Sequence, residues 1–124
     1  MSSSDSLRKA LEEYLAVPGV IGALFVSDEG LVVSQAVPEG VDADAVAVFA
    51  ADALVACQQL GRSASTGDLQ SLEVEFEKGQ LLVVPFASGV LLTLLLSEGQ
   101  LGAVRENWSK GKDLSSQNRE APSA

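Results

Sequence analysis

The sequence predicts one α+β domain: a five-stranded antiparallel sheet between helices, in the order helix, two strands, helix, three strands, helix. Three observations lead there. Apolar residues recur at helical spacing in an early segment around Leu7 to Leu15 and in a central one around Val46 to Leu60. Short runs rich in valine, leucine and phenylalanine lie between them, separated by turns such as Asp28-Glu29-Gly30, Lys78-Gly79 and Ala87-Ser88-Gly89. With 124 residues, 47% of them hydrophobic, the chain has material for one core and little beyond it.

Residues 1–4 form a polar lead, expected to be flexible, and the domain spans residues 5–112. The first helix runs from about Asp5 to Val17, with Ser4 or Asp5 as its cap. Leu7, Ala10, Leu11, Tyr14 and Leu15 share one side, and Arg8, Lys9, Glu12 and Glu13 take the wet one. Pro18-Gly19 ends it. Val20 to Val26 and Leu31 to Gln35 make a hairpin across a turn in which Gly30 can take positive φ. Leu69 to Phe76 alternates, with Leu72, Val74 and Phe76 on one face and Ser71, Glu73 and Glu75 on the other, so one side of that strand meets water. Leu81 to Phe86 and Val90 to Leu96 complete a meander. A last helix over about Gly99 to Gly111 aligns Leu101, Val104 and Trp108, and the tail from 113 to 124 is polar enough to be disordered.

The central helix, Asp42 to Gly61, is apolar on too many sides. Asp42 and Asp44 suit its N-terminus, and Gly61 reads as its stop. At about 100° per residue, Val46, Phe49, Ala50, Ala53, Cys57 and Leu60 fall on one face, wide enough to cover a sheet. The opposite face should be charged, yet it carries Ala47, Val48, Ala51 and Val55, with Asp52, Gln58 and Gln59 among them. Leaving two valines in water forfeits roughly 1.5 kcal/mol or more each. One reading buries this helix between layers of a single domain, but the chain is too short to supply another layer. The other reading is a docking face for a second copy, a partner protein, or both.

Composition excludes several function classes. The formal charge is -9, with 17 acidic against 8 basic residues, which opposes nucleic-acid and anionic-membrane binding. The uncharged run Leu81 to Leu96 is shorter than the ~20 residues of a spanning helix, and Pro85, Ser88 and Gly89 interrupt it, so no transmembrane segment is expected. There is no histidine, hence no ordinary general base near neutral pH and no imidazole metal ligand. Cys57, the single thiol, reads as a small buried hydrophobe. Glu73, Glu75 and Glu77 share a strand face without converging ligands, and Gly19-Val20-Ile21-Gly22 lacks the lysine of a phosphate loop. Asp28-Glu29-Gly30 is a turn before it is a site. Trp108, beside Arg105 and Lys110, reads as a core anchor rather than a base-stacking platform. The expectation is a protein that is not an enzyme, has no cofactor, and resides in the cytoplasm.

Four phrases in order carry a resemblance. Pro18-Gly19-Val20-Ile21-Gly22-Ala23 leads to Asp28-Glu29-Gly30-Leu31-Val32-Val33-Ser34; the alanine-rich helix ends in Leu60-Gly61; and Leu101-Gly102-Ala103-Val104-Arg105 follows. Together they resemble the roadblock family, named after a dynein light chain, over about residues 5–110. The resemblance implies strand order 2-1-5-4-3, with the central helix on one face and the terminal helices on the other. It also implies homodimers in which the third strands pair edge to edge and the central helices lie side by side. Glu73 and Glu75 sit awkwardly on such an edge, since charges there normally oppose pairing. As partners it implies a second copy and a small Ras-like GTPase, met as a regulator or recruiting platform. The alternative is an adaptor module in a motor or signalling complex, without effect on hydrolysis. A small-molecule sensor would need convergent polar groups that the sequence does not display. The expected interface residues are Val48, Ala51, Asp52, Val55 and Gln59 on the helix, with Leu72, Glu73, Val74 and Glu75 on the edge strand. For the helix residues, packing between the two helices of a dimer is the competing role. Arg62, after the helix, reads as a solvated loop residue rather than an arginine finger.

Overall fold

The computed structural model describes residues 2–104 and residue 106. Its elements are α1 (Ser2–Leu15), β1 (Val20–Ser27), β2 (Val32–Ala36), α2 (Ala43–Ser63), β3 (Leu72–Phe76), β4 (Gly79–Ala87) and β5 (Val90–Ser97), with residues 101–104 helical after them. The five strands form one antiparallel sheet in the order β2-β1-β5-β4-β3. Sequence pattern accounts for which strands are interior and which are edges, not for which strands are neighbours. β1 and β5 are apolar on both faces and occupy the interior, whereas β2 and β3 alternate and form the edges.

Each face of the sheet builds its own core. On one face, α1 and the segment at 101–104 cover Ala23, Phe25, Leu82, Val84, Leu92, Leu94 and Leu96, with Leu11 and Val104 driven into the layer. Phe86 joins it, its ring centroid 4.7 Å from that of Phe25 and 6.4 Å, edge-on, from that of Tyr14. On the other face, α2 lies across Leu24, Val26, Val83, Leu91 and Leu95. By length and composition α2 could cross a membrane; here it lies along the sheet.

Most element ends differ from expectation by one or two residues, and those of α1, α2 and β3 differ for local reasons. α1 begins at Ser2, so Ser4 and Asp5 belong to its first turns rather than to a cap. α2 begins as expected, with the Asp42 carboxylate accepting from Ala45 N at 3.1 Å, but it does not stop at Gly61. It continues to Ser63 because the following loop folds back on it. Thr66 donates to the Gly61 carbonyl through both N and Oγ1, and a Cβ on Gly61 would stand 3.1 Å from Gly67 O. The left-handed turn falls instead at Ser65 and Gly67. β3 starts at Leu72, and Leu69 packs against the core without joining the ladder. Of the expected last helix, the part beyond 104, including Trp108, and the tail from 113 lie outside the described residues, residue 106 apart.

The inner face of α2 is the larger correction. Ala43, Ala47, Ala50, Ala51 and Leu54 face the sheet, while Phe49 and Leu60 are 69% and 68% exposed. Cys57 is half-buried. The helix is rotated by about one residue, or 100°, from the expected orientation. The sheet supplies the bulk on this side, through leucines and valines, and small residues let the helix settle close above them. The large side chains of α2 are left pointing outward.

Candidate functional site

The outward stripe of α2 is the principal feature of the surface. Val55, Val48, Gln59, Asp52, Ala56, Phe49 and Leu60 follow one another around the helix within about half a turn, all exposed. Of the expected interface residues, Val48 (45% exposed), Val55 (57%), Asp52 and Gln59 belong to this stripe. Ala51 does not. It is buried in the chain's own core, because it stands on the sheet side of the helix and beneath the β1–β2 turn. Leu72 and Val74 are half-buried on the α2 side of β3, and Glu73 and Glu75 are exposed on the reverse face.

The stripe is flanked by two grooves. The larger, about 450 Å³, lies between α2 and the β3 edge and is walled by Val46, Phe49, Ala53, Leu72, Val74 and Phe76. Among the described residues its only charged lining residue is Asp42, at the helix cap. Phe49, Leu60 and Phe76 are the large apolar residues that sequence reasoning missed. The signal for Phe49 was present in the alanine spacing at 43, 47, 50 and 51, which marks a face that sits on something bulky. The smaller groove, about 290 Å³, lies on the opposite flank, between the second half of α2 and the β1–β2 and β4–β5 turns.

The β1–β2 turn is fixed against the helix. Gly30, at φ +88°, brings its backbone so close that a Cβ there would stand 3.3 Å from Val48 Cα. Ser27 stabilises the loop: its N–H donates to Leu31 O at 2.8 Å and its Oγ accepts from Leu31 N at 3.1 Å. The aspartate-x-glycine phrase therefore positions the hairpin under α2. At the far end of the sheet, Gly19 O accepts from Ser97 N and Oγ, and the buried Gln80 Oε1 accepts from Leu101 N at 2.7 Å. Among the described residues no group of histidine, cysteine, aspartate or glutamate is placed to hold a metal ion.

The two edges of the sheet differ. Two residues of β2, Val32 and Ser34, pair with the adjacent Val26 and Phe25 of β1, so Val33 is an extra residue and the edge is bulged. Pro38 follows and stands against Gly22. β3 pairs with β4 residue for residue from Leu72 to Phe76. A bulge and a proline blunt one edge, and the other stays straight and open.

A meander with its fifth strand inserted beside the first, sandwiched by a long helix and a terminal pair, defines a roadblock-type α+β module. Residues 7–96 match the model of the Roadblock/LC7 domain, and the chain belongs to that family. It is 30% identical over 97 residues to the uncharacterized protein MJ1340 of Methanocaldococcus jannaschii, covering 78% of this chain and 85% of the relative. A Roadblock/LC7 domain from Streptomyces avermitilis superposes with a TM-score of 0.65 at 26% identity, over 72% of this chain and 76% of that one. Myxococcus xanthus MglB shares the fold with a TM-score of 0.78 at 18% identity, over 94% and 96% of the two chains.

Proposed function

We propose that this protein is a cytoplasmic, non-enzymatic homodimer that recruits or regulates a small Ras-like GTPase. The outward apolar stripe of α2 carries the reading. Phe49, Leu60, Val48 and Val55 all stand in the open, and Phe49 walls the larger apolar groove. Burying each would gain roughly 1.5–3 kcal/mol. A second copy meets the need on the β3 side. Two straight β3 edges paired about a two-fold axis would extend the sheet, bring two α2 helices side by side, and close the groove at Phe49 and Phe76. Glu73 and Glu75 would then gather on the reverse face, so salt that screens them favours the dimer.

That pairing spends the Phe49 flank and leaves the Val48 and Val55 flank for a second partner. The family's association with small Ras-like GTPases supplies the kind of partner. GTP turnover by a Ras-like GTPase of the same organism, measured with and without this protein, tests the proposal. An altered rate supports regulation. Binding with an unaltered rate leaves the adaptor reading, and no binding overturns the platform.

A further inference from the structure

Each groove has apolar walls and one aspartate, but the smaller exposes proportionally more polar surface than the larger. The walls of the smaller are Ala51, Leu54, Val55, Pro85 and Leu91, and its one charged group among the described residues is Asp28, on the β1–β2 turn. The turn is held in place: Asp28 N donates to Gly89 O at 3.0 Å, tying the β1–β2 turn to the β4–β5 turn. A carboxylate oxygen of Asp28 lies 3.8 Å from where a Cβ on Gly89 would stand, so the acid leans over the rim. Gln58 faces the groove from α2. Among the described residues no lysine or arginine lines it, in a chain with 17 acidic and 8 basic residues.

From this arrangement we infer that the groove receives one basic side chain, lysine or arginine, of the protein docked on α2. A volume of about 290 Å³ suits a single side chain rather than a nucleotide. Long basic side chains combine an apolar stem with a charged head, and this groove offers an apolar trough ending at a carboxylate. Val55 belongs both to the groove wall and to the exposed stripe, so a partner lying on α2 reaches it. The Phe49 groove is on the opposite flank, so a dimer using that one leaves this one accessible. The inference rests on the platform reading for the identity of the partner, but the subsite can be probed without one.

The probe is N-acetyl-arginine methylamide, titrated into the isotope-labelled full chain and followed by NMR, with the neutral isostere N-acetyl-citrulline methylamide as control. Saturable shifts are expected at Asp28, Val55, Gln58 and Gly89, with the citrulline compound at least about fivefold weaker. Asp28→Asn should make the two compounds equal while the remaining spectrum stays that of the folded protein. Absence of saturation at these residues, or equal shifts across Glu12, Glu73 and Glu75, overturns the subsite. In the GTPase-binding assay Asp28→Asn should weaken affinity about tenfold and leave the dimer intact. An unaltered affinity overturns the subsite while sparing the platform. If no GTPase binds, the platform fails and the arginine titration alone decides the subsite.

Discussion

The two faces of the sheet solve the same problem differently. α1 is an ordinary amphipathic cover: Leu11 is buried, and Arg8, Lys9, Glu12 and Glu13 are exposed. α2 buries alanines and exposes phenylalanine, leucine and valine. The first face is complete within one chain. The second is closed against its own sheet and presents apolar side chains outside it. The difference teaches that large apolar residues on a helix need not mark its core side. Where the sheet already supplies the bulk, small residues face inward and large ones point outward.

Three substitutions would break or sharpen this contrast. Leu11→Ala removes a buried anchor of the completed face and should cost about 2–5 kcal/mol in urea unfolding compared at equal protein concentration. A loss below about 1 kcal/mol would show that this face is looser than its burial implies. Phe49→Asp acts on the outward apolar side of α2. It should weaken dimerisation by at least about 100-fold, roughly 2.7 kcal/mol, in sedimentation velocity while leaving the circular dichroism spectrum unchanged. A variant that still sediments as a dimer would remove the larger groove from the interface. Thr93→Val is the smallest change. The Thr93 hydroxyl is buried without a hydrogen-bond partner among the described residues, in register with Leu24 and Val83 beneath α2. Valine keeps the shape and drops the hydroxyl, so unfolding should show a gain of about 1 kcal/mol. A loss instead would mean that the hydroxyl finds a partner in solution.

Much of the fold was legible because its signals are local. The turns at Gly30, Lys78-Gly79 and Gly89 and the alternation of Leu72, Glu73, Val74 and Glu75 are all properties of neighbouring residues. The unalternating apolar run of β5 likewise marked a strand buried on both faces. The strand order was not local: it came with the family resemblance, since nothing in the residues of β1 and β5 announces that they are neighbours. The candidate site was half legible. Excess apolar surface on the central helix could be counted from the sequence, and Val48 and Val55 were placed on its outer side. The rotation of the helix could not be counted, because it depends on what the sheet presents beneath it. Ala51 was therefore assigned outward and Phe49 inward, each the reverse of its place in the structure. Gly61 misled for a related reason: a glycine that admits a returning loop resembles one that ends a helix.

The alanine layer beneath α2 has a consequence for how such a module changes over generations. Because methyl groups alone meet the sheet over most of that face, identity along the outer row can drift without forcing the interior to be rebuilt. A scaffold organised this way can be readdressed from one associate to another by a few outward replacements, its architecture carried along unaltered.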